Sequence, residues 1–305
     1  MNILLTGGSG MVGQNIIHSN HFKDCNLYSP SREELDLLNK DSINQFLKKN
    51  RIDFIIHAAG FVGGIGVNIK YPVEFLYKNL QMGFNLIIEA RNSGIKNFLN
   101  IGSSCMYPKG FKNPIREEDL LSGFLEPTNE GYAIAKISTA KLCEYISREE
   151  KSFLYKTAIS CNLFGRFDTF DKETSHLVPA AIIKVYEASQ KQNPVNIWGN
   201  GKARREFMYA EDLVDFIKYA VENFSKMPQY LNVGRGSDHT VFEYYKLIAE
   251  IIDYAPKFEF DLSKPEGMER KLLDVSRMES FGWRNISPIP EGLRKTYGFY
   301  LDEYT

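Results

Sequence analysis

The first strand-like run of the chain, Asn2–Thr6 (NILLT), leads straight into Gly7-Gly8-Ser9-Gly10-Met11-Val12-Gly13. A short apolar run, a glycine cluster and an amphipathic stretch read as strand, tight turn and helix. Each glycine at this spacing has a use. Gly7 permits the turn, Gly10 lets phosphate approach the backbone, and Gly13 lets the helix pack close to the strand. The helix start, with Met11 and Val12, offers free N–H groups to an anion. A chain that opens this way is constrained to a strand–helix–strand unit that binds a dinucleotide.

The chain beyond this turn keeps that rhythm. Met11–Ser19 reads as a helix, Asn26–Ser29 as a strand and Ser42–Lys49 as a helix. Asp53–His57 is a strand, Pro72–Ser93 a long helix and Asn97–Gly102 a strand. Gly131–Arg148 is a helix and Lys156–Asn162 a fifth strand. Alternation of this kind predicts an α/β fold, a Rossmann-type doubly wound parallel sheet joined by right-handed crossovers. The second half is less regular. It reads as helices at Pro179–Ala188, Glu211–Glu222, Phe242–Ile252 and Glu291–Tyr300, with short strands at Val195–Trp198, Tyr230–Val233 and Lys257–Phe260. We expect a cofactor domain over 1–161 and about 205–235. A smaller C-terminal α/β substrate-binding domain would take 162–204 and 236–305.

Composition removes several classes. With 37 Lys+Arg against 38 Asp+Glu, the net charge is −1, which argues against nucleic acid as a partner. No apolar run approaches the roughly 18–20 residues that span a bilayer, and MNILLTGGSG has no signal-peptide character. Cys25, Cys105, Cys143 and Cys161 form no CxxC pair. They read as reduced thiols of a cytoplasmic protein, with no metal site.

The end of the second strand selects the nicotinamide cofactor, because a carboxylate there would bind the ribose 2′-OH of NAD. The chain has Tyr28-Ser29-Pro30-Ser31-Arg32 instead. The missing acid and the following guanidinium favour NADP(H), with its 2′-phosphate. Asp36 and Leu37 would then lie near the adenine, and Ala58-Ala59-Gly60 would let backbone pass beside the cofactor. Tyr132-Ala-Ile-Ala-Lys136 places a phenol and an ammonium on one helix face. The ammonium is expected to lower the phenol's pKa, so that it exchanges a proton with a carbonyl. Ser103, just after the fourth strand, can bond the same oxygen. Glycine loop, serine and Tyr/Lys pair together describe a hydride-transfer enzyme.

At this point the chain resembles the extended short-chain dehydrogenases, and within them the GDP-L-fucose synthases, which are GDP-4-keto-6-deoxymannose 3,5-epimerase/4-reductases. The blocks that carry the likeness include Val62-Gly63-Gly64-Ile65, Gly102-Ser103-Ser104-Cys105-Met106-Tyr107-Pro108, Glu126-Pro127-Thr128-Asn129-Glu130, Arg205-Glu206-Phe207 and Lys271-Leu272-Leu273-Asp274-Val275. The resemblance implies a homodimer using NADPH. It gives Ser103, Tyr132 and Lys136 the reductase roles, and Cys105 and His176 the acid/base roles of epimerisation. It places Asn162 and Leu163 beside the cofactor, and Ser104, Lys184, Trp198, Arg205 and Lys271 beside a GDP-sugar. The chain departs from the pattern in having Lys184 where an Arg is usual and Gly131 where proline is common. Its segment Gly165–Thr174 also lacks the usual proline-containing loop. Four other activities stay open: a C4-only reductase of a GDP-4-keto-6-deoxy-heptose, a UDP-sugar 4-epimerase, a dehydratase, and a non-catalytic NADP sensor. A dehydratase would want Thr-Asp-Glu at 103–105, and a 4-epimerase an acid after the second strand.

Overall fold

The computed structural model describes residues 1–171, 174–264 and 268–305. Its first part alternates β1 (Asn2–Thr6), α1 (Met11–Ile17), β2 (Asn26–Tyr28), α2 (Lys40–Lys49), β3 (Phe54–His57), α3 (Ile65–Lys70), α4 (Pro72–Asn92), β4 (Asn97–Ser103), α5 (Glu130–Glu149) and β5 (Leu154–Ser160). Then come β6 (Asn162–Phe164), α6 (Leu177–Lys191), β7 (Val195–Trp198), β8 (Arg204–Arg205), β9 (Phe207–Tyr209), α7 (Ala210–Glu222) and β10 (Tyr230–Val233). The chain ends with β11 (His239–Thr240), α8 (Val241–Ile252), β12 (Phe258–Asp261), β13 (Arg270–Lys271), α9 (Ser276–Phe281) and α10 (Ile289–Tyr304).

The central sheet has the order β10-β5-β4-β3-β1-β2 with every pairing parallel, the α/β architecture that the alternation predicts. Its inner strands are buried almost throughout because both faces are covered. Period-two alternation then divides each strand between two cores. Ile3 and Leu5 of β1 face a cluster with Ile16 of α1 and Phe216 and Ile217 of α7. Leu4 faces the opposite cluster with Ile43 and Leu47 of α2, Leu86 and Ile87 of α4, and Cys143 and Ile146 of α5. A third core joins α6, α8 and α10 to β7 and β9. No helix of the described residues is long and apolar enough to cross a membrane.

Several local readings are corrected. The fifth strand starts at Leu154, ends at Ser160, and resumes as β6 only after Cys161, whose N–H donates to the Val233 carbonyl of β10 at 2.9 Å. α6 starts at Leu177, two residues before Pro179, so the proline takes a first-turn position where its missing N–H costs nothing. Helices α3 and α9 and the short strands β6, β8, β9, β11 and β13 add to the elements read from the sequence.

The β1–α1 turn shows why glycine is required. Gly7 has φ +79°, and a Cβ there would lie 2.6 Å from the Ala59 nitrogen at the end of β3. A Cβ on Gly13 would lie 2.2 Å from the Gly7 carbonyl oxygen. The turn is thus pressed against the Ala58–Ala59 backbone at the C-terminal edge of the sheet, where ligands bind in open α/β sheets.

Candidate active site

The cradle at the head of α1 fits a dinucleotide. At Gly10 a Cβ would meet only the Gly7 oxygen, at 3.5 Å, so the loop presents open backbone on that side. Gly10 caps α1 without any side-chain hydrogen bond, which leaves the first-turn N–H groups of Met11, Val12 and Gly13 for a pyrophosphate. At the end of β2, Ser29 packs on Gly8, where a Cβ would fall 2.0 Å from the Ser29 Oγ. No carboxylate occupies that spot. Arg32 follows with its side chain 80% exposed and 4.0 Å from Asp36. Asp36 itself accepts from the Leu38 N–H at 3.1 Å, and the buried Leu37 lends its carbonyl to Asn85 at 3.1 Å, so this stretch is fixed at the sheet edge. If Arg32 grips a 2′-phosphate, Arg32→Ala is expected to weaken NADPH about tenfold, the scale of one charge-assisted hydrogen bond, and to leave NADH nearly unchanged. Fluorescence titration with both dinucleotides checks this; equal losses would remove the basis for the preference. On the far side of the cradle, Asn162 donates to the Glu206 carbonyl at 3.0 Å, and Leu163 follows it in β6, paired with Met208.

The candidate reacting groups lie around the C-terminal end of β4. Ser103 ends that strand, and its hydroxyl accepts from the Cys105 N–H at 3.4 Å, opening a single 3-10 turn over Ser104–Met106. This turn buries Ser104 and drops the Cys105 thiol back beside Ser103. Helix α5 crosses over it. Lys136 is buried, and its ammonium donates to the Ile101 carbonyl of β4 at 3.0 Å. One turn earlier lies Tyr132, whose ring centre is 5.8 Å from that ammonium. Ser103, Cys105, Tyr132 and Lys136 are therefore brought together from a strand end, a turn and a helix.

Burial governs how they titrate. Tyr132 is pushed well above the usual phenol range by desolvation, with the neighbouring Cys105 adding to the rise. This corrects the expectation that Lys136 draws the phenol down. Burial disfavours the charged ammonium as well and lowers Lys136 to about 8. Burial raises the Cys105 thiol, partly offset first by Lys271 and then by the Ser103 hydrogen bond. Burial lowers His176, keeping the imidazole neutral. Tyr132 and Lys271 are half-buried and His176 is exposed by surface area, yet desolvation dominates all three. Protein surrounds each of the three while leaving part of its surface to solvent, and that desolvation governs its titration.

The remaining expected residues fall into three places. His176 caps the start of α6, and the two residues before it, Thr174 and Ser175, pack on Gly64 of the β3–α3 loop. Lys271 sits in β13 and pairs with Arg205 of β8, and its charge reaches Cys105. Lys184 stands apart from that group. It donates to the Asn196 carbonyl at 3.2 Å and lies 5.0 Å over the exposed Trp198 ring. Of the divergent segment Gly165–Thr174, Lys172 and Glu173 lie outside the described residues.

Two neighbours escaped the sequence reading. His57 ends β3, buried, with Nδ1 at 2.8 Å from the Thr6 hydroxyl; burial and then the Lys136 charge lower its pKa to about 3. Asn79 of α4 clamps the loop after β3, accepting from the Phe61 N–H at 2.8 Å and donating to its carbonyl at 3.0 Å. His57 lies at a strand's C-terminal end, which was a usable signal. Asn79 lies on the buried side of an otherwise apolar helix face, a weaker one.

A parallel sheet, a phosphate cradle at its carboxyl edge and a Ser/Tyr/Lys group beside it define a nicotinamide-dinucleotide oxidoreductase of the short-chain type. Residues 3–234 match the model of the NAD dependent epimerase/dehydratase family, and the chain belongs to that family. It is 54% identical to a GDP-L-colitose synthase of Yersinia pseudotuberculosis, over 99% of each chain. It is 38% identical to the GDP-L-fucose synthase of Escherichia coli, over 98% of this chain and 96% of the relative. Among solved structures, a GDP-mannoheptose C4 reductase from Campylobacter jejuni with NADP bound superposes with a TM-score of 0.88 at 27% identity, over 98% of each chain.

Proposed function

We propose that the protein is an NADPH-dependent 4-keto reductase of a GDP-4-keto-6-deoxy sugar that also inverts the configuration next to the ketone. The convergence of Ser103, Cys105, Tyr132 and Lys136 on one point of the cleft carries this reading. When bound, NADPH supplies hydride to C4. Ser103 and Tyr132 hold the ketone oxygen. The raised pKa keeps the proton on Tyr132 until an alkoxide, a stronger base than phenolate, forms and takes it. Lys136 then stabilises the phenolate left behind. For inversion, the ketone acidifies the adjacent C–H bonds. A neutral imidazole at His176 and a thiol at Cys105 make one base and one acid, the minimum set for removing a proton from one face and returning one to the other. Arg205 and Lys271 take the diphosphate, and Trp198 with Lys184 lies further along the substrate. In this reading the cofactor lobe is 1–161 with about 205–235, and the GDP-sugar lobe is the rest.

The 54% identical relative bears on which sugar. Colitose is the 3-deoxy counterpart of fucose. Its C3 is a methylene with no configuration, so only C5 requires inversion. We take the 3-deoxy keto sugar as the preferred substrate. The test is NADPH consumption by the purified protein with GDP-4-keto-6-deoxymannose and with its 3-deoxy form. Faster turnover of the 3-deoxy form is expected, and no turnover of either would sink the reading.

A second copy of the chain would cover an apolar stripe. Val73, Tyr77 and Phe84 are exposed on one face of α4, with Ile134 and Tyr145 exposed on α5, which packs on α4. Sedimentation should give a dimer that Tyr77→Glu converts to monomer; a monomeric wild type would contradict this.

A further inference from the structure

Strands β11, β8 and β13 form a small sheet with β8 in the middle. The register pairs both His239 and Lys271 with Arg205, and both Thr240 and Arg270 with Arg204. Paired residues project from the same face, and successive residues from opposite faces. The two faces therefore differ in purpose. On one, Arg204 and Arg270 close on the buried Asp238, with Nε–O distances of 2.7 and 2.6 Å. On the other, Lys271, Arg205 and His239 stand in a row. That row begins where the Lys271 charge reaches the Cys105 thiol. It ends at His239, two strand spacings or about 10 Å further out. The direction is the one a sugar nucleotide must take: sugar at Cys105 and Tyr132, phosphates next, nucleoside beyond.

His239 is held for such a task. Its ring lies 5.4 Å from the Tyr244 ring, and the Tyr244 hydroxyl donates to the Arg205 carbonyl at 3.1 Å, so the imidazole is locked to the strand that carries Arg205. Its Nδ1 is buried with no hydrogen-bond partner among the described residues. A proton there would have no acceptor, so the N–H belongs on Nε2.

We propose that His239 is a third member of this strip and donates from Nε2 to the phosphate nearer the nucleoside. The proposal rests on the GDP-sugar reading and adds a substrate-binding residue to it. It is tested by calorimetric titration of GDP, GMP and NADPH into wild type, His239→Phe and His239→Gln. His239→Phe keeps a ring against Tyr244 but has no donor, and should weaken both GDP and GMP about tenfold, one hydrogen bond to a charged group. NADPH binding should not change. His239→Gln restores a donor and should recover most of the loss. GDP binding by His239→Phe equal to wild type would overturn the proposal and leave the GDP-sugar reading standing. Equal weakening by Phe and Gln would assign His239 to packing alone and also overturn it. A wild type that binds NADPH but neither GDP nor GMP would overturn both. If His239→Phe does not fold, His239→Leu takes its place with the same outcomes.

Discussion

Tyr132→Phe is expected to cut ketone reduction by about three orders of magnitude, within the usual range for loss of a positioned general acid. NADPH affinity should stay near wild type, because in the proposed reading the phenol hydroxyl meets the ketone and the phosphate cradle is built by the β1–α1 turn. The ring itself should keep its place: it packs edge-on against Phe75 at 6.3 Å, a contact that phenylalanine preserves. Single-turnover rates with pre-bound NADPH separate chemistry from binding. A variant that turned over at the wild-type rate would show that another group protonates the alkoxide. The pH dependence comes from Lys136. Its charge is present below about 8 and lost above it. The wild-type rate should fall as pH rises through that value, as stabilisation of the phenolate disappears.

Cys105→Ala should abolish inversion while sparing reduction. The thiol is buried, and its environment is set by Ser103, Lys136 and Lys271. Alanine leaves those groups in place and removes only the proton carrier. In D2O, wild type should place deuterium at an inverted C5 of the product, and the Cys105→Ala product should keep the original C5 configuration, with any deuterium at C5 returned on the face from which the proton left. The same measurement separates the epimerase/reductase from a C4-only reductase: wild type giving an unlabelled C5 would mean that Cys105 and His176 remain as structure without the chemistry. A Cys105→Ala enzyme that still inverted C5 would move the acid role elsewhere in the cleft.

How much of the fold and site is legible in the sequence depends on distance along the chain. The glycine loop and the Tyr132–Lys136 pair are local patterns, and their geometry comes from turn sterics and helix pitch. The parallel sheet is legible because each of its inner strands has an apolar segment within four to seven residues, set between helical stretches. Strands β8, β11 and β13, two residues each, carry no periodicity; they exist because distant segments meet. The approach of Lys271 to Cys105 belongs to the same class, spanning most of the chain. The titration of Tyr132 reads the wrong way from sequence for a related reason. Spacing shows a neighbouring ammonium, whereas the depth of burial that outweighs it appears only once α5 lies across the end of β4.

The most direct test of the account tracks the hydride. NADPH deuterated at the transferable C4 position of its nicotinamide should yield a GDP-sugar with one deuterium at C4 of the hexose, seen by NMR as loss of the C4 proton and simplified coupling at its neighbours. A product lacking deuterium at the sugar C4, or NADPH oxidised without any change in the sugar, would contradict it.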